Sequence, residues 1–392
     1  MGTDTGWSRA AGESSGRWRT IIDRATGRNR SERVESEPTA PLPHDPDATT
    51  VFPAPIPPAP RTPAAYPPPP TQAYPSAAYQ AASTPTYSPP SPPGYTPPRG
   101  QAVASAPLPP APAAPMGIAA KSGSPADRAV SVLRRNLGVP RVVAFANPKG
   151  GVHKTTATVL AAAAIGGARG RGVVAWDDNE LRGTLGLRAG SARHAKTIRH
   201  LVAELAEVEL NTGPALTARI DDFLRHASDG TYDVLAGEED PRFAWRLDPP
   251  TVRRVLDLLT RTHEVICVDT GNNVESGNWR TIMEAADQLV ITTVPREDSA
   301  FSADWMMDVL VEAGREELVA KAVTIVSMTT PKPGPMQEDL IRHFRSRNRA
   351  VCVVPYDPVL EHGGWIDHTV LAPATRQAWL EAAATIMEPL GT

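Results

Sequence analysis

From residue 142 onward, apolar runs of strand length alternate with stretches that have helical periodicity. The apolar runs are residues 142–147, 172–177, 232–237, 264–269, 288–294, 322–328 and 350–355. They show no alternation of apolar and polar side chains, which indicates strands buried on both faces, and strand–helix alternation indicates parallel crossovers. The sequence therefore predicts an α/β fold: a doubly wound, mostly parallel sheet of about seven strands.

Proline sets the limits of this folded part. Of the 42 prolines, 28 lie between Pro38 and Pro125. A segment so rich in proline cannot form helix or sheet, because proline lacks the backbone donor that both need. We therefore predict four parts, namely a charged, disordered head (1–37), a proline-rich disordered tether (38–123), a lead-in helix (124–139) and one large domain (140–392).

The lead-in helix carries start and stop signals. Ser124 suits the N-cap and Pro125 the first helical position. The apolar side chains at positions 130, 133 and 137 share one helical face, and Gly138 followed by Pro140 is expected to end the helix.

The leader before this helix, which comprises the head and the tether, allows more than one interpretation. Residues 1–37 contain one short apolar segment, Trp18–Ile22, which fits either a solvated head or a short helix that docks on a partner. The tether samples polyproline II and is stiff. Its PxxP and Pro-Tyr pieces either serve SH3- or WW-type grooves or arise by chance. We expect the leader to recruit a protein partner.

Charge and cysteine usage bear on the compartment. The formal net charge is −3, which requires neither nucleic acid nor an anionic membrane. Cys267 and Cys352 lie within apolar runs, where a thiol acts as a small hydrophobe. We find no signal peptide, no membrane-spanning run and no basic amphipathic C-terminus. A cytoplasmic protein without a membrane anchor is therefore expected.

Chemistry is expected where the strands end, because ligands of such sheets bind at the carboxyl ends of the strands. After the first strand comes a loop with the sequence KGGVHKTT. A glycine-bearing loop that leads into a helix points backbone N–H groups and a helix N-terminus at one spot, which is how phosphates are held. The predicted phosphate-binding residues are Lys149, Gly150, Gly151, Val152, His153, Lys154, Thr155 and Thr156.

This loop resembles the deviant Walker A loop, KGGxGKT[ST], of the ParA/MinD family of dimerising P-loop ATPases, and the resemblance covers about residues 141–390. It implies a SIMIBI-type P-loop ATPase with ATP and Mg²⁺ as cofactors and a homodimer when ATP is bound. By this resemblance, Lys149 reaches across the dimer to the partner's nucleotide and Lys154 pairs with the β- and γ-phosphates. The hydroxyl of Thr155 ligates Mg²⁺.

His153 departs from the family pattern, which has glycine at this position. The position requires a positive φ, which glycine adopts freely and histidine only at a cost. Strain of this kind is worth on the order of 1–3 kcal/mol. We expect it to weaken nucleotide binding.

The end of the second strand, WDDNELRGTLGL, resembles the switch I segment of the family. In that alignment Asp177 is the first of two acids, and Asn179 replaces the second, which orients the attacking water. Another register puts Asp178 in that role. An amide cannot accept a proton, so slow hydrolysis is expected. The predicted catalytic residues are Lys149, Lys154, Asp177 and Asn179.

Three further strand ends resemble parts of the family's site. The run EVICVD resembles Walker B and switch II, which implies that Asp269 lies near Mg²⁺ and that the N–H of Gly271 faces the γ-phosphate. The base pocket is assigned to Pro355, Tyr356 and Asp357, with residues 327–329 as additional candidates. A turn after a core strand is the alternative at each position.

The proline-rich leader, the switch segment and the terminal TRQAWLEAA look most like the MinD-like ATPases associated with type VII secretion loci, the EspI-like group. Three functions stay open. The first is a switch ATPase that regulates or positions a partner machine. The second is a ParA-type partition ATPase that binds DNA non-specifically through Arg342–Arg349, a run that also fits a solvated helix face. The third is a nucleotide-sensing adaptor with little or no turnover.

Overall fold

The computed structural model describes residues 123–170, 172–179, 183–190, 195–239 and 247–392. The head and almost the whole tether lie outside the described residues. The described residues form one eight-stranded sheet with the order β3-β4-β2-β5-β1-β6-β7-β8. Its strands are β1 (Arg141–Ala146), β2 (Val173–Asp178), β3 (Arg225–His226), β4 (Asp233–Leu235), β5 (Val265–Thr270), β6 (Gln288–Thr293), β7 (Val323–Ser327) and β8 (Ala350–Val354).

Helices cover both faces of this sheet. They are α1 (Pro125–Leu133), α2 (Lys154–Arg169), α3 (Leu185–Ala189), α4 (Ile198–Ala203), α5 (Leu205–Glu209), α6 (Gly213–Asp221), α7 (Pro249–Thr260), α8 (Gly277–Ala285), α9 (Glu297–Glu312), α10 (Glu316–Ala320), α11 (Met336–Arg345), α12 (Pro358–Glu361) and α13 (Pro373–Met387), with 3₁₀ turns at His368–Val370 and Glu388–Leu390. Helices α1, α2, α3 and α13 share one hydrophobic cluster, and α4 to α11 share the other. The predicted doubly wound α/β fold is confirmed. Within the described residues, no helix is long and apolar enough to cross a membrane.

The sheet has one strand more than predicted. Strand β3 contains only Arg225 and His226 and runs antiparallel to β4, whereas the other strand pairs are parallel. The His226 ring lies 2.6 Å from the carboxylate of Asp233 on β4 (Nδ1 to Oδ1). Two residues are too few to carry a periodic pattern, so this strand has no sequence signal.

Helix α2 packs closely on the sheet. Its residues 156–166 are all buried, and most of them are alanine, glycine or threonine, so the backbone comes near its neighbours. A Cβ added at Gly166 would lie 2.1 Å from the backbone oxygen of Thr231. This packing holds the first turn of α2 beside the end of β1, with the predicted phosphate loop between them.

The lead-in helix is shorter than predicted. It begins with a capping box, in which the Ser124 hydroxyl accepts from the Asp127 N–H and the Asp127 carboxylate accepts from the Ser124 N–H. It ends at Leu133 rather than continuing to Gly138. The side chain of Asn136 accepts from the Gly138 N–H (2.9 Å), and this local turn competes with further helix.

Candidate functional site

The loop between β1 and α2 is shaped by two left-handed residues. Gly151 has φ 74°, and His153 has φ 64° and ψ 28°. In the described part of the chain, His153 is the single non-glycine residue with positive φ. Helix α2 begins at the next residue, so its free N–H groups face the loop, as an anion site requires.

The lysine at the start of α2 closes this loop on itself. The Lys154 ammonium donates to the backbone oxygens of Asn147 (2.9 Å) and Lys149 (3.2 Å), and to the side-chain oxygen of Asn272 (2.5 Å). Burial lowers the pKa of Lys154, and the charge of Asp269 partly offsets this effect. The ammonium is therefore held at the mouth of the loop by acceptors that phosphate oxygens can replace.

Asn147, just before the loop, fixes the direction in which the loop leaves the sheet. Its side chain is 1% exposed. It donates to the backbone oxygens of Thr292 (2.7 Å) and Ser299 (3.1 Å) and accepts from the Lys149 N–H (2.9 Å). Sequence reasoning missed the roles of Asn147 and Asn272, because their partners lie on other elements.

Thr155 and Asp269 bring a hydroxyl and a carboxylate together at the end of the loop. The Thr155 hydroxyl donates to Asp269 Oδ2 (2.5 Å), while Asp269 Oδ1 is buried and has no hydrogen-bond partner among the described residues. Burial, followed by the negative charge of Asp177, raises the pKa of Asp269 to about 7. Such an oxygen pair suits Mg²⁺, which is usually held by few protein ligands together with substrate phosphates. In the described residues, no group of three or more His, Cys, Asp or Glu is arranged to hold a metal.

The Asp177 carboxylate, at the end of β2, is hydrogen-bonded to backbone N–H groups of the protein itself. It accepts from the N–H groups of Asn179 (3.1 Å) and Leu185 (2.9 Å), which ties the start of α3 to β2. Burial raises its pKa to about 6, although these backbone hydrogen bonds oppose the shift. Asp178, in register with Thr270, points to the other face of the sheet. Asn179 is the member of this trio that lines the cleft described next.

A cleft of about 340 Å³ lies above the loop. It is lined by Gly150, Gly151, Val152, His153, Lys154, Thr155, Thr156, Asn179, Thr184, Leu187, Arg188, Asp269, Thr270, Asn272 and Gly363. All the predicted phosphate-binding residues except Lys149 are therefore brought together. Gly271 lies between two lining residues of the cleft but is not itself one of them. We call this cavity the loop cleft.

A second cavity, of about 270 Å³, adjoins the loop cleft. It is lined by His153, Thr156, Ser327, Met328, Thr329, Val354, Pro355, Tyr356, Asp357, Leu360, Glu361 and Trp379. The two cavities share His153 and Thr156. All the residues predicted for a base pocket line this cavity, which we call the side pocket.

The polar groups of the side pocket are partly committed to the protein. The Asp357 carboxylate accepts from the N–H groups of Val359 (3.1 Å) and Ala372 (2.9 Å), so it caps α12 and fixes the following loop. The Tyr356 hydroxyl donates to Glu361 (2.6 Å). Asp357 thus shapes the pocket instead of offering a free carboxylate to a ligand.

Lys149 stands apart from the loop cleft. Its ammonium pairs with Asp298 at the start of α9 (3.2 Å), and the two side chains are 43% and 41% exposed. An exposed ion pair of this kind contributes about 0–1 kcal/mol. Lys149 can therefore leave Asp298 at little cost.

Arg188 is a residue that the sequence did not single out. It lies on α3, is 8% exposed and lines the loop cleft. Its guanidinium donates to the Thr156 hydroxyl (2.8 Å) and to the Gly364 backbone oxygen (2.8 Å). A single arginine in a short helix carries no motif, so no sequence signal identifies it.

Most cations of the predicted DNA-binding run are used within the domain. Arg347 pairs with Asp304 and Asp308, His343 with Asp304, Arg342 with Asp339, and Arg349 with Glu388. Asp304 is fully buried, so the run joins α11 to α9. This geometry offers little support for phosphate contacts through the run.

Comparisons with known proteins concern the fold. No family model matches the sequence, and no curated protein matches it. Similar solved structures include the cell division ATPase MinD of Pyrococcus furiosus, at 20% identity over 63% of this chain and 98% of that chain (TM-score 0.49). A ParA family ATPase of Chlorobium tepidum is similar at 16% identity over 64% and 98% (TM-score 0.48). The septum site-determining protein MinD of Pyrococcus horikoshii, solved with Mg-ADP, is similar at 20% identity over 62% and 94% (TM-score 0.47).

Proposed function

We propose that this chain binds Mg-ATP and acts as a slowly hydrolysing switch ATPase of the ParA/MinD type. The observation that carries the proposal is the continuity of the loop cleft and the side pocket through His153 and Thr156. One cavity has a helix N-terminus and a lysine, which suit phosphates. The other cavity is lined by both polar and apolar side chains, including the aromatic residue Tyr356, and has the size of a nucleotide base.

The residues around Asp269 fit the magnesium ion that such a nucleotide brings. In the part of the chain that the structure describes, Asp269 Oδ1 is a buried oxygen without a hydrogen-bond partner, and the Thr155 hydroxyl lies beside the other oxygen of the same carboxylate. Buried polar atoms are nearly always satisfied in proteins, so this orphan atom supports a cation or its water as the missing partner. The ion would supply charge neutralisation for the phosphates. Thr155 and Asp269 would position the ion, and Lys154 would position the phosphates.

Slow turnover is supported by the commitment of Asp177. Its carboxylate accepts two backbone N–H groups and anchors α3, so it is not placed to orient a water in the loop cleft. Asn179 lines the cleft and can hold a water by a hydrogen bond, but it cannot take the proton. The same observation favours the second candidate, a nucleotide-sensing adaptor with little or no turnover.

The switch is completed by an ATP-dependent homodimer. Lys149 lies outside the loop cleft in an exposed ion pair with Asp298, so its ammonium is available to a partner subunit at small cost. Binding of a γ-phosphate would draw the segments around Asn179 and Asn272 together, and its loss would release them.

The identity of the partner machine is the most specific part of the proposal. We infer a cytoplasmic protein partner recruited by the proline-rich leader, with type VII secretion loci as the setting that the sequence resemblance suggests. A partition ATPase that rides on DNA is the alternative. The ion pairs of Arg342–Arg349 weaken that alternative, and salt-sensitive binding to random duplex DNA tests it directly.

The proposal is tested by a calorimetric titration of the full chain with ATP in the presence of Mg²⁺. Lys154→Ala should lower the affinity for ATP by about 10-fold or more, because it removes a charge-assisted hydrogen bond to phosphate. The matched control is Lys321→Ala, since Lys321 pairs with Glu317 in an exposed ion pair just before β7. Equal ATP affinity in the wild type and in Lys154→Ala would refute the proposed site.

The rate of ATP hydrolysis distinguishes the switch ATPase from the nucleotide-sensing adaptor. Phosphate release by the wild type should be slow but measurable, and it should disappear in Lys154→Ala. Wild-type release no faster than that of Lys154→Ala, in a protein that binds ATP, would favour the nucleotide-sensing adaptor.

A further inference from the structure

Arg188 is a buried cation without a counter-charge in the described residues. Its two hydrogen bonds within the described residues go to a hydroxyl and to a backbone oxygen, both neutral acceptors. Burial is the single cause that lowers the pKa of Arg188; no carboxylate of the described residues opposes the shift. A buried charge is ordinarily paired, so among the described residues this side chain lacks the partner that its position calls for.

Two other arginines of the same domain, one buried and one half-buried, show the usual arrangement. Arg225 is 6% exposed and pairs with Glu239 (2.6 Å). Arg347, whose side chain is 17% exposed, pairs with Asp304 and Asp308. Arg188 is as buried as Arg225, yet it faces the loop cleft instead of a carboxylate. The missing anion is therefore expected in the cleft.

The position of the guanidinium identifies the part of the cleft concerned. Arg188 holds the hydroxyl of Thr156, and Thr156 lies where the loop cleft meets the side pocket. In a nucleotide that spans both cavities, the group at this junction is the phosphate nearest the sugar. Within the described part of the chain, Arg188 uses two of its five N–H groups on protein atoms, which leaves donors for a phosphate oxygen.

We propose that Arg188 is a ligand of the α-phosphate of the bound nucleotide and supplies the positive charge at that end of the cleft. This inference rests on the proposed function, because it assumes that the two cavities hold one nucleotide. The contact also joins the ligand to the loop after α12. Arg188 donates to Gly364, and the N–H of Ile366 donates to the backbone oxygen of Arg188 (2.8 Å).

The test compares adenosine, AMP and ADP in calorimetric titrations of the full chain and of Arg188→Met. Methionine keeps the unbranched apolar stem and removes the charge. We expect the affinities for AMP and ADP to fall by about 10- to 100-fold, because a charge-assisted hydrogen bond to phosphate is lost. The affinity for adenosine, which has no phosphate, should stay the same.

Two further measurements separate a ligand from a purely structural side chain. Without nucleotide, the thermal midpoint of Arg188→Met should equal or exceed that of the wild type, because an unpaired buried charge has been removed. The matched control Arg225→Met should lower the midpoint and leave ADP affinity unchanged in the remaining folded protein, since it removes the ion pair with Glu239 and the hydrogen bond to the Lys196 backbone oxygen.

The outcomes distinguish the two hypotheses. ADP affinity equal to that of the wild type in Arg188→Met, or an equal loss for adenosine and AMP, would overturn the Arg188 assignment and leave the nucleotide site in place. Failure of the wild type to bind any of these ligands would overturn the proposed function, and the Arg188 assignment with it.

Discussion

At the scale of single residues, the backbone of His153 is the informative feature. Its φ of 64° lies in the region that glycine adopts freely, and its side chain lines both cavities. Burial, and then the charge of Arg188, lowers the pKa of its imidazole. His153 therefore combines two effects, backbone strain and a side chain that occupies space in both cavities, and different substitutions separate them.

We predict that His153→Gly binds ATP more tightly than the wild type, by up to about 10-fold. The expected gain combines relief of strain of about 1 kcal/mol with removal of a side chain from the cleft. His153→Ala removes the imidazole but keeps the strain, so it should recover only part of the gain. Calorimetric ATP affinities of the three proteins test this. Affinities that do not differ would show that the loop tolerates the histidine at no cost.

At the scale of helices and strands, the approach of α2 to its neighbours is set by one glycine. A Cβ at Gly166 would lie 2.1 Å from the Thr231 backbone oxygen, whereas at Gly167 its nearest neighbour is the Thr231 Cγ2 at 3.8 Å. These adjacent positions have the same helical backbone but different surroundings.

Gly166→Ala should therefore lower the free energy of unfolding by about 1–3 kcal/mol, as overpacking does. Gly167→Ala should raise it by about 0.5–1 kcal/mol, because alanine is the better helix former. Urea unfolding of both variants provides the measurement. A stable Gly166→Ala variant would mean that α2 shifts along the sheet without cost.

The pairing of α9 with α11 depends on a buried carboxylate. Burial raises the pKa of Asp304, but hydrogen bonding from His343 and the charge of Arg347 outweigh it and hold the pKa below its ordinary value of 3.8. The folded state therefore binds the proton more weakly than the unfolded chain. The resulting stability is present above about pH 4 and is lost as the pH falls through the lowered pKa.

Asp304→Asn should cost about 3–5 kcal/mol at pH 7, because it leaves Arg347 with one carboxylate fewer in a buried setting. It should also flatten the fall of stability below pH 4. Urea unfolding at pH 7 and at pH 3.5 measures both effects. Glu317→Gln, which breaks the exposed pair with Lys321, is the control and should change neither. An unchanged acid profile in Asp304→Asn would contradict this account.

At the scale of the whole molecule, the two hydrophobic clusters consist of residues between Ala129 and Leu390. They contain the packing that holds helices on both faces of the sheet. Among the described residues, those that line the loop cleft and the side pocket lie between positions 150 and 379. We therefore expect residues 123–392 to fold and to form both cavities by themselves.

A chain that begins at residue 123 should therefore unfold cooperatively at the same thermal midpoint as the full protein and bind ATP with the same affinity. Calorimetry of both chains tests this prediction. A lower midpoint in the shorter chain would mean that part of the leader packs on the domain.

Much of the fold was accessible from the sequence because its signals are local. The seven parallel strands agree closely with the apolar runs, since burial on both faces leaves a continuous apolar pattern. The loop residues from Gly150 to Thr156, which line the loop cleft, carry a local signal, because glycine and a helix start act within a few residues. Strand β3 and the early end of α1 were missed, because each depends on a few polar contacts.

The sequence by itself determined the order of strands and helices and the place of the glycine-bearing loop between β1 and α2, because periodicity and glycine act within a few residues. Only the tertiary structure decided which polar groups meet. Arg188 reaches Thr156 across 32 residues, and Lys154 reaches Asn272 across 118. These contacts exist because β5 lies between β2 and β1 in the sheet, which brings distant strand ends to one edge. In the same strand order, Asp177 lies buried against backbone N–H groups, whereas Asn179 lines the loop cleft.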